Sequence, residues 1–357
     1  MQQKRRKEIW MVQTKRADFK GLSERLGVSP VSVRIMRNRG LETEEEMRKY
    51  LYGTVDELYD GSLMKDMGKA VSILLEKMKD GSKIRIIGDY DIDGVCATYL
   101  LLTGLRRSLK EIRNVEDGRQ IDYEIPDRIK DGYGINESII RQAAADGVDT
   151  IITCDNGISA LREITLAKEL GMTVIVTDHH EVPMDENGNQ TIPAADAVIN
   201  PKREGDLYPF PEICGAVVAY KLIRELYRAV GVPEREWKEL LEFAAIATVG
   251  DVMKLKDENR IIVKFGLRRM AVTKNLGLRK LAEKCGLDIT ALSAYHIGFV
   301  IGPCLNAGGR LQTAKLALRL LLSQDEAEAD RMAEELKSLN DLRKDMTKQG
   351  EDEAIHQ

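Results

Sequence analysis

From residue 83 to residue 200 the chain alternates two hydrophobic textures. Short stretches rich in β-branched residues at 84–88, 121–126, 150–154, 173–177 and 197–199 are too brief for helices and are bounded by Gly, Pro or Asp, so each predicts a strand. Between them, apolar residues recur at spacings of three and four over 95–109, 137–145 and 159–170, and each stretch closes near a glycine or polar turn, which predicts amphipathic helices. Largely apolar strands separated by helices are buried on both faces, the pattern of a parallel sheet. After Pro211 the period is helical throughout, at 216–230, 234–249, 258–272, 278–284, 313–322 and from 327 onward. In the last of these Met332, Leu336, Leu339, Leu342 and Met346 keep an apolar stripe. That stripe needs a partner, and it suits either a helix folded back on the core or one leading to a further domain. Before residue 80 the elements are short: a helix at 22–26, one at 31–38 signalled by Ser29-Pro30, and one opened by Thr43 with Glu44, Glu45 and Glu46 in its first turn.

The expected fold is α/β: a Rossmann-like, mostly parallel sheet with a helical N-terminal segment and a helical C-terminal extension. The corresponding segments are 1–80, a sheet domain at 81–255, a helical extension at 256–322, and a final helix beginning at 323. At 357 residues there is material for about two domains. With 43% hydrophobic and 31% charged residues, the composition is that of a globular protein. No apolar run nears the roughly 20 residues that cross a bilayer, and no signal-type apolar segment follows the basic residues 1–7. The cytoplasm is therefore the expected compartment, with no membrane partner. Five cysteines stand far apart without a CxxC pair, which argues for buried free thiols and against a disulfide framework or a thiolate zinc site. A net charge of −4 gives no overall attraction for a polyanion. Locally, residues 1–40 carry eleven Lys and Arg against three acids, a modest argument for phosphate contacts, while 323–357 carry eleven acids against five bases.

The acidic residues cluster where predicted strands end. The first strand runs into Asp89-Tyr90-Asp91-Ile92-Asp93-Gly94, the third into Asp155-Asn156-Gly157, and the fourth into Asp178-His179-His180-Glu181. An Asp at such a place often only caps the next helix, and Asp93 and Asp155, each beside a helix-opening Gly, fit that reading best. Several carboxylates converging on one sheet edge repel one another unless cations neutralise them, which points to a metal cluster. Asp oxygens with one or two imidazoles suit Mn²⁺ or Mg²⁺. Of the four histidines, two stand side by side here, while His296 and His356 lie in unrelated contexts. Asp251, delivered by the small-residue helix FAAIATVG, is a further candidate ligand. Two metals among carboxylates serve phosphate-ester hydrolysis without a nucleophilic triad, and no GxxxxGK[ST] loop indicates ATP hydrolysis.

These residues resemble the DHH phosphoesterase superfamily, whose name-giving triplet stands here as Asp178-His179-His180, and within it the RecJ family of bacterial single-stranded-DNA-specific exonucleases. The resemblance runs through nearly the whole chain: RNRGLETEEE at 37–46, GDYDIDG at 88–94, PDRIKDGYGIN at 126–136, TCDNGIS at 153–159, TDHHE at 177–181, CGAVVAYKL at 214–222, ATVGDVMKL at 247–255 and GPCLNAGGRL at 302–311. A lone DHH triplet is weak, whereas this ordered series is specific.

The resemblance implies two Mn²⁺ or Mg²⁺ ions held by Asp89, Asp91, Asp93, Asp155, His179 and Asp251, with Asp155 as the bridge. It gives Asp178 and His180 catalytic places, His180 facing the substrate phosphate. Arg128 and Lys130, with Asn306 and Arg310 from a GPCLNAGGRL loop, become phosphate or DNA contacts, and Gly308 and Gly309 permit close backbone approach. The implied activity is 5′→3′ hydrolysis of single-stranded DNA to 5′-mononucleotides in repair and recombination, with single-strand-binding protein and a recombination helicase as partners. Tyr133, Tyr208 and Phe210 are candidate stacking aromatics, and Tyr90 is expected in the core or supporting the metal site. Alternatives are short oligoribonucleotides, cyclic dinucleotides or pyrophosphate as substrate, or a non-catalytic binding fragment. Two departures stand out. Cys304 occupies a place where the family often has Arg, and no Gly-Gly-His signature of a second, substrate-binding domain occurs, so the chain resembles the catalytic N-terminal part of a longer protein whose connector helix begins at 323.

Overall fold

The computed structural model describes residues 11, 15–114, 118–127, 132, 134–311 and 314–356. They fall into two compact units, Met1–Glu57 and Leu58–Gln357. In the first unit, α1 (Phe19–Leu26), α2 (Pro30–Asn38) and α3 (Glu44–Tyr52) close around Leu26, Val33, Met36 and Met47. The start signals act as expected: Ser29 Oγ accepts the Ser32 N–H, and Thr43 and Glu46 form a reciprocal capping box.

The second unit begins with α4 (Met67–Asp80) and then winds β1 (Ile84–Ile87), α5 (Ile92–Arg113), β2 (Ile121–Glu124), α6 (Glu137–Ala145), β3 (Thr150–Cys154), α7 (Leu161–Glu169), β4 (Thr173–Thr177) and β5 (Ala197–Ile199). All four strand pairings are parallel, in the order β2-β1-β3-β4-β5. On one face Ile151, Val174 and Val176 pack with Ile140 of α6 and Ile164 of α7. The other face is covered by α4, α5 and a later helix, α8 (Gly215–Val230). Near-continuous burial of β1, β3 and β4 follows from this double cover. Arg85 is the charged residue of β1, held by Asp122 at 2.8 Å and Asp146 at 2.8 Å.

Beyond α8 come α9 (Glu234–Glu239), α10 (Leu241–Gly250), α11 (Asp257–Met270), α12 (Leu276–Lys284), α13 (Ala294–His296), a π-helical turn at Ile297–Ile301, α14 (Gly302–Leu311), α15 (Lys315–Leu322) and α16 (Glu326–His356). The single helix expected over 234–249 is broken at Leu240. GPCLNAGGRL is not a loop as expected but α14 itself. Gly302 and Gly309 stand in a helix where other backbone comes too close for a side chain: a Cβ would lie 2.7 Å from the Ile297 carbonyl oxygen at Gly302 and 2.5 Å from the Tyr90 carbonyl oxygen at Gly309. Along α16 the stripe has partners at Met332, Leu336 and Leu339, which are buried as the helix packs on α12, α14 and α15, whereas Leu342 and Met346 are exposed. Of the five free cysteines four are buried, and Cys285 is half-buried. Among the described residues, no helix is long and apolar enough to cross a membrane.

Candidate metal centre

The order of the sheet reverses between β1 and β3, and in such a sheet ligands bind beyond the carboxyl ends of the strands at that switch point. Asn156 pins the gap: its Nδ2 donates to the Ile87 carbonyl at 3.1 Å and the Cys154 carbonyl at 2.9 Å. The β1 end delivers Asp89, Asp91 and Asp93, β3 delivers Asp155, and β4 delivers Asp178, His179 and His180. Asp251 arrives at the C-terminal end of α10. All eight side chains named from the strand ends and α10 therefore meet at one sheet edge.

They do not play equal parts. Asp91 caps α5, its Oδ1 accepting the N–H groups of Asp93 at 2.9 Å and Gly94 at 3.0 Å. The cap expected of Asp93 thus belongs to Asp91, two residues earlier. Asp93 instead reaches the N-terminus of α8, where its oxygens accept the Gly215 N–H at 2.7 Å and the Ala216 N–H at 2.8 Å. Asp155 has a left-handed backbone, φ 61°, and α7 has no side-chain cap, so a capping role for Asp155 is not what the structure shows. Sequence reasoning missed Gly215 as a site residue. A Cβ there would meet Asp155 Oδ1 at 2.6 Å, so only glycine lets the start of α8 approach the acids. The available signal was a Gly-Ala pair opening a long apolar helix.

The donor atoms form three groups, each mutually within 4.8 Å: Asp89, Asp91 and Asp155; Asp93, His179 and Asp251; and Asp155, His179 and His180. His179 Nε2 lies 3.1 Å from Asp155 Oδ1, 3.6 Å from Asp93 Oδ2 and 3.8 Å from Asp251 Oδ2. Asp155 and His179 each belong to two groups. Asp178 belongs to none of these groups, and its oxygens hold the neighbouring backbone and His180. One accepts the Ile158 N–H at 2.9 Å, and the other accepts the His179 N–H at 2.7 Å, the His180 N–H at 3.1 Å and contacts His180 Nδ1 at 2.8 Å. It orients His180, whose ring borders a cleft of about 420 Å³ with Gly134, Ser159 and Glu163.

Electrostatics divide the groups the same way. Burial, reinforced by neighbouring carboxylates, pushes Asp89 and Asp251 up to about 7 and raises Asp91 and, most of all, Asp155. Burial also lowers His179, favouring the neutral imidazole that can serve as a ligand. Burial alone would raise Asp178 too, but its bond to His180, the His180 charge and the backbone N–H groups hold it below the usual range. His180 is raised by that same hydrogen bond. Carboxylates held together against their own repulsion, with Asp89 Oδ1 buried and lacking a hydrogen-bond partner among the described residues, fit a divalent-cation site of hard oxygen donors and neutral imidazole.

The remaining named residues are placed less closely. Arg128, Lys130 and Tyr133 lie outside the described residues. Arg310 belongs to α14 by its backbone, and its side chain also lies outside them. Asn306, in α14, lines a cleft of about 170 Å³ with Gly250, Gly298, Gly302, Pro303 and Arg343, and its Oδ1 has no hydrogen-bond partner among the described residues. Tyr208 is not an exposed stacking aromatic as expected. It is 5% exposed and donates its hydroxyl to Glu258, because the buried Lys221–Glu258 pair needs a polar neighbour.

Residues 83–248 match the model of the DHH family, N-terminal domain. The single-stranded-DNA-specific exonuclease RecJ of Bacillus subtilis is 39% identical over 97% of this chain and 42% of its own length. RecJ of Escherichia coli is 34% identical over 91% of this chain and 55% of its own length. The chain thus spans about half the length of these curated relatives. A crystal structure of exonuclease RecJ bound to manganese superimposes with a TM-score of 0.68 at 35% identity, over 79% of this chain and 67% of that one. RecJ from Thermus thermophilus in complex with Mn²⁺ superimposes with a TM-score of 0.77 at 29% identity, over 95% of this chain and 46% of that one. By its sheet, its acidic strand ends and these likenesses, the chain belongs to the DHH family and, within it, to the RecJ group.

Proposed function

We propose that this chain carries the catalytic centre of a Mn²⁺- or Mg²⁺-dependent exonuclease that hydrolyses single-stranded DNA from the 5′ end to 5′-mononucleotides. The observation that carries the reading is the meeting of Asp89, Asp91, Asp93, Asp155, His179 and Asp251 at the switch point, in two groups of ligand spacing that a third group, Asp155, His179 and His180, links together. In this proposal those six side chains would hold two cations, and Asp155 and His179, which belong to two donor groups each, would serve both parts of the site. When bound, such ions supply positive charge for the phosphoryl oxygens and make water a better nucleophile. The protein does the positioning. Asp178 fixes the ring of His180, with its Nδ1 at 2.8 Å, beside the cleft that both residues line, where the proposal puts a phosphate oxygen. Asn156 and the start of α8 hold the strand ends in register around it. Arg128, Lys130, Asn306 and Arg310 are assigned to the DNA backbone. Residues 81–255 are read as the catalytic domain, 1–80 as a helical segment before it and 256–322 as its helical extension. Action in the cytoplasm beside single-strand-binding protein and a recombination helicase belongs to the same proposal.

The test is degradation of 5′-labelled single-stranded DNA by the full chain with Mn²⁺, run beside duplex DNA, a short oligoribonucleotide and pyrophosphate, and repeated with Asp155→Ala. The expected result is mononucleotide release from the single strand alone, lost in Asp155→Ala. Preferential cleavage of the oligoribonucleotide or pyrophosphate would replace the substrate assignment, and undiminished activity in Asp155→Ala would overturn the metal assignment.

A further inference from the structure

Cys285 follows the last turn of α12, and Cys304 lies in the first turn of α14. Their Sγ atoms are 3.7 Å apart. A disulfide bond is about 2.05 Å long, so the two sulfurs need to close by about 1.7 Å. They differ in access: Cys285 is half-buried, whereas Cys304 is buried and its sulfur accepts the Asn340 Nδ2 amide at 3.5 Å. They also differ in acidity. The hydrogen bond from Cys304 lowers Cys285 below the ordinary thiol value against its partial burial, with help from the charges of Lys337 and Lys344 and opposition from Asp341. Cys96, Cys154 and Cys214 are pushed the other way by burial, Cys154 to about 12. One accessible thiolate-forming sulfur beside one buried resolving sulfur is the arrangement of a thiol pair that oxidises selectively.

We propose that Cys285 and Cys304 are an oxidation site, converted by hydrogen peroxide or another hydroperoxide into an intramolecular disulfide. Cys285, having released its proton to solvent, attacks a peroxide oxygen. The O–O bond breaks, and the departing hydroxide takes up a proton to become water, leaving a sulfenic acid on Cys285. The Cys304 sulfur then attacks the Cys285 sulfur, the S–O bond breaks, and the leaving hydroxide takes the Cys304 proton as a second water. Two thiols lose two electrons in total and the peroxide gains them. The bond ties the end of α12 to α14, the helix whose Gly309 packs on the Tyr90 carbonyl between Asp89 and Asp91.

Trypsin cleaves after Lys284 and after Arg310, so both cysteines fall in one peptide, 285–310. The full chain is treated with hydrogen peroxide, its thiols are counted after denaturation, and that peptide is weighed. The expected result is loss of two of the five thiols, a peptide lighter by two hydrogen atoms, and full recovery with dithiothreitol. Cys304→Ser is expected instead to leave an oxidised Cys285 that a sulfenic-acid trap labels, with no lightened peptide. The proposal is overturned if all five thiols persist, if the lost thiols map to Cys96, Cys154 or Cys214, or if the disulfide joins two chains. The wild-type measurement decides even if the variant fails to fold.

Discussion

Glu242, in the first turn of α10, offers a quantitative test of how this interior treats charge. The residue is 5% exposed. One oxygen accepts the Thr273 hydroxyl at 2.8 Å, and the other is buried without a hydrogen-bond partner among the described residues. Burial pushes its carboxyl from the ordinary 4.5 up to about 7, against the pull of the Thr273 bond and the Arg269 charge. The folded state therefore holds this proton more tightly than the unfolded chain does, and stability falls as pH rises from the unfolded value through the folded one. At about 1.4 kcal/mol per pH unit, the penalty grows from about 1 kcal/mol at pH 5 to about 3 kcal/mol at pH 8. Glu242→Gln removes the titration while keeping the shape. Its own packing cost is the same at every pH and cancels when the two proteins are compared at both. Urea unfolding of wild type and variant should show the variant gaining about 2 kcal/mol relative to wild type between pH 5 and pH 8. A difference that does not change with pH would refute the reasoning, because it would mean that the carboxylate is solvated or paired in the folded protein.

Other consequences follow from contacts already described. Gly309→Ala should lose stability by about 1–3 kcal/mol despite alanine's higher helix propensity, because its Cβ meets the Tyr90 carbonyl at 2.5 Å; a raised melting temperature would show that α14 can move away. Lys221 and Glu258 pair at 2.8 Å with both side chains fully buried, so Glu258→Leu should cost about 3–5 kcal/mol, while Lys221→Met with Glu258→Leu should recover most of it in thermal unfolding. Equal losses in the single and double variants would count against that pairing. Stripping divalent cations with a chelator should lower the melting temperature, and Mn²⁺ at a hundredfold excess over its Kd should restore about 2.7 kcal/mol; an unchanged melting curve would contradict a cation site among these acids.

The parallel sheet was legible because β-branched runs and helical spacing are local signals. The strands at 150–154, 173–177 and 197–199 match the predicted boundaries to the residue. The acidic strand ends were legible too, since sheet order places consecutive strand termini on one edge. What the residues alone could not reveal depended on long-range approach. Asp93 looked like a local cap, yet its partners lie more than 120 residues away in α8. The stretch 302–311 that read as a loop is helical, and at Gly309 what excludes a side chain is the backbone of Tyr90, far away in sequence. Tyr208 read as a loop aromatic, and only the buried Lys221–Glu258 pair explains why it turns inward.

The hold of Asp93 on the start of α8 also bears on the order in which such a centre is assembled. Six acids at one edge would resist closing up in a chain that has yet to meet a metal. The exposed N–H groups of a helix N-terminus carry about half a positive charge that cannot diffuse away, and Asp93 is bound to two of them. This built-in counter-charge offsets part of the repulsion during folding, so the scaffold can form first and be loaded afterwards. A variant that removes Asp93 would strip the helix of its anchor and the proposed centre of a donor, and lost activity in it would report both injuries at once. Asp251, at the rim and 29% exposed, is the cleaner place to separate loading from folding.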